Sequence, residues 1–318
     1  MLIQHADVLR AATRLQPVAH RTAVVRSRQL DARSGGEIFL KPENLQRAGS
    51  FKFRGAYNKL SQLDAGARAR GVISYSSGNH AQGVALAASL LGIPATVAVP
   101  ENILPAKRAA TMGYGARVLP AGTTSEERQK RAESLAAEQG LCLVRPYDDP
   151  DIMAGQGTVA LELMQDVPDL DVLVVPIGGG GLMAGCAVAA RALRPAIRLV
   201  GVEALDANDT YLSLQAGRRV RIPPPHTIAD GMRALEPGEL TFEIVRRLVD
   251  EVVLVSDDEI VEAMRWLLER TKLLVEPTGA TSAAALLAGR VPAGGRRVGL
   301  VLSGGNIDLA TLSHLLAG

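Results

Sequence analysis

From residue 72 to the C-terminus, short runs of β-branched residues alternate with longer stretches rich in alanine and leucine. This alternation is typical of βαβ units, in which right-handed crossover helices join parallel strands. We predict strands at residues 72–75, 95–99, 117–119, 142–144, 172–177, 198–203, 251–255 and 298–302. Helices are predicted at residues 80–91, 105–114, 125–139, 155–165, 182–193, 257–270, 279–287 and 307–315. The fold class is therefore α/β, with ligands expected at the carboxyl ends of the strands.

The predicted strands fall into two groups, which indicates two parallel sheets with helices on both faces. Residues 71–148 contain one compact set of four βα units, and residues 149–318 contain a second set. Asp148-Asp-Pro150 is the best boundary signal between the sets, since aspartate and proline favour a turn. The pattern does not decide which sheet the first 65 residues join. We predict two parallel-sheet αβα domains.

Composition limits the classes of function. A net charge of +2, with scattered arginines and only 3% aromatic residues, argues against nucleic-acid binding. No apolar run reaches the roughly 18 residues of a membrane-spanning helix, and the N-terminus lacks the features of a secretory signal. Cys142 and Cys186 lie in separate apolar runs and are expected to be buried free thiols. We expect a soluble cytoplasmic protein that binds neither nucleic acid nor membrane.

One lysine lies where a loop turns into a predicted helix. Gly49 and Ser50 predict a turn and an N-cap, and residues 50–60 predict a helix that carries Lys52 in its first turn. The positive end of the helix dipole disfavours protonation of an amine at this position. An amine that must be neutral to attack a carbonyl benefits from this placement. Lys52 is therefore a candidate Schiff-base nucleophile.

Three polar or glycine-rich turns each follow a predicted strand and precede a predicted helix. They are Ser76-Ser-Gly-Asn-His80, Gly178-Gly-Gly-Gly181 and Leu302-Ser-Gly-Gly-Asn306. A strand end followed by a helix N-terminus presents free backbone N–H groups, which suit a phosphate or a carboxylate. Because four consecutive glycines let the backbone approach a ligand closely, we predict that they bind a phosphate.

Two cofactors fit these turns. Gly179-x-Gly181-x-x-Ala184 matches the relaxed dinucleotide fingerprint, and Glu203 ends the next strand, where a ribose-binding acid would lie. That assignment leaves Lys52 and the other two turns without a role. Pyridoxal phosphate (PLP) needs an amine for its aldehyde, a phosphate cradle and a polar partner for its ring nitrogen. The lysine and the three turns meet each requirement, so we favour PLP.

The motifs together resemble the serine/threonine dehydratase and serine racemase family, whose fold is that of the tryptophan synthase β subunit (PLP fold type II). The similarity extends over nearly the whole chain. It is carried by Lys41-Pro-Glu-Asn44, Ser50-Phe-Lys-Phe-Arg-Gly-Ala56, Ser76-Ser-Gly-Asn-His80, Ala154-Gly-Gln-Gly157, Pro176-Ile-Gly-Gly-Gly-Gly-Leu182, Ile228-Ala-Asp-Gly231, Glu276-Pro-Thr278 and Leu302-Ser-Gly-Gly-Asn306. The resemblance implies a large cofactor-binding domain of residues 1–65 and 149–318, a small mobile domain of residues 71–148, and a PLP site in the cleft between them.

The resemblance also implies which residues hold PLP. Lys52 would form the Schiff base and remove the Cα proton of the substrate, with Phe51 beside the pyridine ring. Asn79 would donate to the phenolic oxygen, and Ser303 would face the pyridine nitrogen. The phosphate would lie against a backbone segment formed by Gly178, Gly179, Gly180, Gly181 and Leu182.

The implied activity is dehydration of L-threonine to 2-oxobutanoate and of L-serine to pyruvate, with release of ammonia. Ser76, Ser77 and His80 would bind the carboxylate of this amino-acid substrate, and Arg128 would lie near the substrate entrance. A neutral Ser303 leaves the ring nitrogen largely unprotonated, which favours prompt loss of a β-hydroxyl.

Several alternatives remain open. Serine racemase is one, because the residue that matches Ser77 protonates the opposite face of the substrate in that branch. An L-threo-3-hydroxyaspartate dehydratase would differ in accommodating a second carboxylate, through Arg128 or His80. A dinucleotide-dependent oxidoreductase and a catalytically silent ligand-binding protein are the alternatives from other classes.

The resemblance implies a metal site and an assembly as well. Glu203, Ala207 and Asp209 match the divalent-cation site of the family. Two carboxylates and a backbone carbonyl suit a hard cation such as Mg²⁺ or Ca²⁺. Members of the family are typically homodimers or homotetramers, so we expect a homo-oligomer.

Overall fold

The structure is a computed structural model, and it describes residues 2–76, 78–103 and 105–317. Its strands, in chain order, are β1 (Val25–Arg26), β2 (Glu37–Pro42), β3 (Val72–Tyr75), β4 (Ala95–Val99), β5 (Arg117–Pro120), β6 (Cys142–Val144), β7 (Val172–Pro176), β8 (Arg198–Ala204), β9 (Glu251–Val255) and β10 (Arg297–Leu302). Within the described ranges they form a large sheet in the order β1-β2-β10-β7-β8-β9 and a small sheet in the order β5-β4-β3-β6.

Helices cover the faces of both sheets. They are α1 (His5–Leu15), α2 (Arg28–Ser34), α3 (Lys52–Leu60), α4 (Ala65–Arg70), α5 (Asn79–Leu91), α6 (Pro105–Gly113), α7 (Ser125–Gln139), α8 (Pro150–Asp166), α9 (Gly181–Leu193), α10 (Asp209–Ala216), α11 (Glu239–Leu248), α12 (Asp257–Thr271), α13 (Pro277–Leu287) and α14 (Leu309–Ala317). Short 3₁₀ turns lie at Glu43–Leu45, Arg47–Gly49 and Asp230–Met232.

The strand pairing confirms the predicted α/β class with two parallel sheets. Neighbouring strands are parallel in both sheets, except that β1 pairs with β2 in the antiparallel direction. Strands that are covered on both faces have near-continuous apolar sequences, and every residue of β7 is buried. Because the apolar runs are so clear, the eight strands predicted from residue 72 onward differ from the observed bounds by at most one residue at either end.

The N-terminal segment adds strands to the large sheet and packs a helix beside the small one, which its sequence pattern alone did not reveal. Strand β2 lies between β1 and β10 in the large sheet. Helix α3 instead places Phe53, Ala56 and Leu60 in the apolar cluster beside Val72 of the small sheet. The boundaries of the two predicted domains therefore stay a prediction.

The prediction that Ser50 caps α3 was wrong. Ser50 is extended, with φ −164° and ψ 162°, and α3 begins at Lys52. Ser50 forms a bridge with Gly304, and the N–H of Phe51 donates to the carbonyl of Ser303 at 3.1 Å. These contacts with the chain beyond β10 take the place of a local cap. The start of α3 is thus tied to the end of β10.

Two further sequence expectations can be compared with the structure. Cys142 and Cys186 are both free as expected, but the expectation that both are buried is confirmed only for Cys186, since Cys142 is half-buried. Among the helices of the described ranges, none combines the length and the hydropathy that crossing a membrane requires.

Candidate active site

A cavity of about 540 Å³ lies at the carboxyl ends of strands from both sheets. Ser76 after β3, Gly178 after β7 and Ser303 after β10 all line it. A second cavity of about 1140 Å³ adjoins it and shares wall residues that include Arg128 and Glu276. The three polar turns predicted from the sequence thus meet around one space. The side chain of Ser77 lies outside the described residues, so its position is not part of this geometry.

Lys52 projects into this cavity from the first residue of α3. The amine Nζ donates a hydrogen bond to the carbonyl of Pro146 at 2.8 Å and lies 5.0 Å from the centroid of the Phe51 ring. Burial lowers the pKa of Lys52 to about 8, against the opposing charge of Glu276. An amine with this pKa is partly neutral near neutral pH, which a nucleophile for an aldehyde requires.

The glycine turn leads directly into α9 and exposes the N-terminus of that helix to the cavity. Gly180 has φ +89°, a conformation that favours glycine. A Cβ at Gly179 would lie 2.3 Å from the ring of Tyr147. The hydroxyl of Thr241 donates to the carbonyl of Gly179 at 2.8 Å, which fixes the turn from behind. The first-turn N–H groups of α9, which begins with Gly181 and the buried Leu182, have no intrahelical acceptor and suit an anion.

Ser303 places an unused hydroxyl on the cavity wall. The residue is 1% exposed, and its Oγ has no hydrogen-bond partner among the described residues. A buried hydroxyl without a partner costs free energy, so its presence at a cavity wall points to a ligand atom that completes it. A neutral hydroxyl suits an aromatic ring nitrogen that remains unprotonated.

Asn79, the first residue of α5, belongs to a hydrogen-bonded set that the sequence did not assign. Its Nδ2 donates to Oε1 of Glu276 at 2.6 Å, and its Oδ1 accepts from Nδ2 of Asn306 at 2.8 Å. Burial, and then the charge of Asp230, raise the pKa of Glu276 to about 8. Both Glu276 and Asn306 stand in motifs that carry the resemblance, which was the only sequence signal for them.

The predicted carboxylate-binding residues differ in what they can offer. Ser76 Oγ accepts the N–H of Gly78 at 3.2 Å. His80 Nε2 lies 3.2 Å from the carbonyl of Val144 and donates to it, whereas Nδ1 is buried without a described partner. Burial, and then the charge of Lys52, lower the pKa of His80 to about 3, so the ring is neutral. A carboxylate would therefore meet the backbone N–H groups at the start of α5 rather than an imidazolium.

Arg128 lies in the wall shared by both cavities. It is 9% exposed, and its guanidinium donates to the carbonyl of Thr123 at 3.2 Å and to Oγ of Ser125 at 2.8 Å. Burial lowers the pKa of Arg128. Within the part of the chain that the structure describes, it forms no ion pair with a carboxylate. This cation is consequently able to accept an anionic group from a ligand.

Glu203 and Asp209 lie outside the cavity wall as a buried acidic pair. The carboxylate of Glu203 accepts the N–H groups of Thr210 at 3.0 Å and Tyr211 at 2.8 Å. Neither carboxylate oxygen of Asp209 has a partner among the described residues. Burial raises the pKa of Asp209 to about 7, and burial together with the charge of Asp209 raises that of Glu203. Because Glu203 is fully buried, it cannot act as the ribose-binding acid of a dinucleotide site.

Glu203 and Asp209 offer too few side-chain ligands to hold a metal ion by themselves. In residues 2–76, 78–103 and 105–317 there is no group of three or more His, Cys, Asp or Glu side chains that could hold one. Ala207, which is buried beside the pair, offers only a backbone carbonyl. The unpartnered oxygens of Asp209 still fit a hard cation completed by water.

The cavity as a whole fits PLP. It presents a partly neutral amine, a helix N-terminus preceded by a glycine turn, an amide donor and an unpartnered neutral hydroxyl. These groups match the aldehyde, the phosphate, the phenolic oxygen and the ring nitrogen of that cofactor.

Comparison with known proteins agrees with this chemistry. Residues 15–304 match the family model described as "Pyridoxal-phosphate dependent enzyme". The L-threo-3-hydroxyaspartate ammonia-lyase of Saccharomyces cerevisiae is 46% identical over 99% of this chain and 96% of that protein. The L-threonine ammonia-lyase of Thermotoga maritima is 43% identical over 99% of this chain and 78% of that protein. The solved structure of maize serine racemase has a TM-score of 0.95 and 40% identity, over 100% of this chain and 98% of that one. These similarities confirm the resemblance that the motifs indicated.

Proposed function

The chain belongs to the family of pyridoxal-phosphate-dependent enzymes, and we propose that it is an ammonia-lyase acting on β-hydroxy amino acids. L-Threonine would give 2-oxobutanoate and L-serine would give pyruvate, each with release of ammonia. One observation carries the proposal: the Lys52 amine, the glycine turn and the unpartnered Ser303 hydroxyl line the same cavity. The activity named for the Thermotoga relative supports the choice of threonine.

PLP, when bound, withdraws electrons from the Cα of the amino acid, so that a Cα proton is lost more easily and a β-hydroxyl can leave. In the proposed arrangement Lys52 holds its aldehyde and Phe51 lies beside its ring. Asn79 donates to its phenolic oxygen, and Ser303 faces its ring nitrogen. The backbone from Gly178 to Leu182 holds its phosphate.

Lys52 also moves the proton that elimination requires. Once the amine of the substrate has replaced it on the aldehyde, the free Nζ would accept the Cα proton on one face of the substrate, and the low pKa that burial produces keeps enough of the amine neutral. The Pro146 carbonyl, 2.8 Å away, orients the free Nζ when no PLP is attached to it. Ser303 adds no charge, so the ring nitrogen stays unprotonated and loss of the β-hydroxyl is favoured.

The substrate's α-carboxylate would lie at the start of α5, against Ser76, Ser77 and the backbone of His80.

We also propose that residues 71–148 form a small mobile domain over a large domain of residues 1–65 and 149–318. Two ion pairs whose four residues line the cavity join the two proposed parts, so movement of the small part would have to break them. They are Lys107–Asp230 and Arg221–Glu126.

Dehydration of L-threo-3-hydroxyaspartate is the second candidate. The observation that favours it is Arg128, a buried cation in the cavity wall that has no described carboxylate partner. The activity named for the yeast relative points the same way. Serine racemisation is the remaining alternative. It would require Ser77 to protonate the substrate on the face opposite Lys52.

We further propose that Glu203, Ala207 and Asp209 hold Mg²⁺ or Ca²⁺ and that the enzyme works as a homodimer or homotetramer. Support for the cation comes from the unpartnered oxygens of Asp209. A cytoplasmic location stays a prediction.

The test is a parallel assay of the purified holoenzyme. We would incubate it with L-threonine, L-serine and L-threo-3-hydroxyaspartate, and measure 2-oxo acid, ammonia and D-amino acid. The proposal expects 2-oxobutanoate and ammonia in equal amounts from threonine. D-Serine forming faster than pyruvate would replace the lyase assignment by a racemase. An oxo acid from hydroxyaspartate alone would favour the second candidate.

A further inference from the structure

The side-chain amide of Asn79 is held at both ends by residues that do not belong to the assigned cofactor contacts. Glu276 and Asn306 lie on opposite sides of it, at 2.6 and 2.8 Å. Asn306 also donates to the carbonyl of Ala48 at 2.7 Å. The three side chains and this carbonyl therefore form one continuous chain of hydrogen bonds.

The carbonyl of Ala48, at the end of this series of hydrogen bonds, determines the direction of every bond in it. The Ala48 carbonyl can only accept, so Asn306 must present its amide nitrogen to that side. The same nitrogen donates to Asn79, which must therefore accept through its side-chain oxygen. The nitrogen of Asn79 then faces Glu276, whose carboxyl group accepts one of its two N–H bonds. The other N–H of Asn79 remains available as a donor.

Packing leaves this arrangement little freedom. A Cβ at Gly304 would lie 2.5 Å from Oε1 of Glu276 and 3.1 Å from Nδ2 of Asn79. A Cβ at Gly49 would lie 2.3 Å from Oδ1 of Asn306. Glu276 itself is 3% exposed. Backbone without side chains thus packs closely against both ends, which restricts rotation of the Glu276 and Asn306 side chains.

We propose that Glu276 and Asn306 are positioning residues that lock the Asn79 amide with one N–H reserved for the phenolic oxygen of PLP. The inference rests on the proposed function, because it assumes that Asn79 contacts that oxygen. An amide free to rotate would present its oxygen to the phenolic oxygen for part of the time, and two acceptors repel. Burial raises the pKa of Glu276, and the neutral carboxyl group that results keeps one oxygen able to accept.

The test measures cofactor affinity and colour in variants of the full chain. Apo-protein is titrated with PLP, and the visible absorbance band of the holoenzyme is recorded. We expect Glu276→Leu and Asn306→Ala each to weaken PLP binding about three- to tenfold, the usual worth of one hydrogen bond, and to shift the band. Asn79→Ala sets the reference loss. A double variant of Glu276→Leu with Asn79→Ala should bind PLP no more weakly than Asn79→Ala alone, because both changes remove the same interaction.

Two further variants separate positioning from general damage. Glu276→Gln keeps an oxygen that can accept from Asn79, so we expect it to recover most of the affinity lost in Glu276→Leu. Ser282→Ala removes another buried hydrogen bond of α13, from its hydroxyl to the Val301 carbonyl at 2.7 Å, without touching Asn79. We expect that control to bind PLP with the affinity of the natural protein.

The outcomes are distinct. Natural protein that does not become coloured with PLP would overturn the proposed function and this inference together. Coloured, active natural protein with unchanged affinity and band in Glu276→Leu or in Asn306→Ala would overturn the inference alone. Additive losses in the double variant would do the same. So would a Glu276→Gln protein as weak as Glu276→Leu, since the charge and not the acceptor would then matter. If Glu276→Leu does not fold, Asn306→Ala and its double variant with Asn79→Ala decide the question.

Discussion

Helix α3 begins between two buried polar clusters that are built in opposite ways. The arginine cluster consists of Lys41, Glu43, Arg54 and Glu162. The cofactor cluster consists of Lys52, Asn79, Glu276 and Ser303. In the arginine cluster the guanidinium of Arg54 donates to Glu43 at 2.7 and 2.9 Å and to Glu162 at 2.7 and 2.8 Å. Against burial, which alone would lower it, these two carboxylates raise the pKa of Arg54.

In the cofactor cluster, which includes Lys52 two residues before Arg54, some polar groups lack a hydrogen-bond partner. The Ser303 hydroxyl has no described partner, and burial lowers the pKa of Lys52 while it raises that of Glu276. A fully paired buried cluster holds a structure in place, whereas an incomplete one costs stability until a ligand completes it. The difference teaches which polar residues near Lys52 serve the fold and which serve chemistry.

The largest effect is expected for Lys52→Ala. Loss of the amine removes both the proposed attachment point of PLP and the proposed base, so kcat/KM should fall by at least about a thousandfold. The visible band should vanish, while the melting temperature of the apo-protein should change little, because the amine forms no ion pair with any residue that the structure describes. Lys59→Ala is the matched control, since Lys59 lies on the same helix and its amine binds Asp149 at 2.6 Å. If Lys59→Ala loses the band too, the effect belongs to α3 as a whole.

Arg54→Met should be the most destabilising change. It leaves Glu43 and part of Glu162 buried without their cation, and breaking a buried pair costs about 3–5 kcal/mol of unfolding free energy. Urea denaturation of the apo-protein measures the loss. As a control, Arg246→Met breaks an exposed pair with Glu243 and should have little effect. Equal losses in the two variants would contradict the assignment of a structural role to the arginine cluster.

The pH dependence of stability should reveal the strain at Glu276. Its folded-state pKa of about 8 lies above the unfolded value, so the group contributes stability at low pH that is lost as pH rises toward 8. Between pH 5 and 7 the apo-protein should lose about 2–3 kcal/mol that Glu276→Gln, which cannot ionise, does not lose. Lys52, Glu203 and Asp209 are present in both proteins, so the difference between the two curves reports Glu276. Parallel curves for the two proteins would show that Glu276 is ionised in the folded state.

Divalent cations should stabilise the protein through the acidic pair. Mg²⁺ or Ca²⁺ would offset the repulsion between Glu203 and Asp209, and saturating cation should add about 1–2 kcal/mol. The melting temperature in EDTA and in excess cation measures the effect. Asp209→Asn should remove it. A cation effect that persists in Asp209→Asn would place the site elsewhere.

The smallest effect is expected for the apo-protein of Ser303→Ala. Removing a buried hydroxyl without a partner should raise the unfolding free energy by about 1 kcal/mol, although PLP should bind more weakly. Ser282→Ala provides the contrast, because that buried hydroxyl is bonded to Val301 and its loss should cost about 1 kcal/mol. If both serine variants change stability in the same direction, the proposed difference between the unpartnered hydroxyl of Ser303 and the bonded hydroxyl of Ser282 is contradicted.

The sequence was a reliable guide wherever a physical signal was local. The apolar runs gave the strands from residue 72 onward, and the polar turns that follow β3, β7 and β10 meet at one cavity as expected. The caps were less certain. Ser50 was expected to cap α3, but its pairing with Gly304 and the bond from Phe51 to Ser303 replaced the local cap. Strand β2 was not predicted. Its six residues begin with a charged residue and have another next to the last, and turn residues flank them, so the apolar run is short.

Residues whose roles depend on distant partners could not be assigned from the sequence. Glu276 and Asn79 are 197 positions apart, and Asn306 is 227 positions from Asn79. Nothing in the local pattern of either motif says that they share one amide. The neutral state of His80 likewise depends on burial and on the charge of Lys52, neither of which the sequence at 76–80 contains.

The chain by itself determined the α/β class, the lysine at the start of α3 and the turns at the strand ends. These follow from periodicity and backbone chemistry, which neighbouring residues settle among themselves. Only the tertiary structure decided which buried polar groups are paired and which are left incomplete. Burial and the partners across the cleft set each pKa and each hydrogen-bond direction, and both depend on residues that are far apart in the sequence.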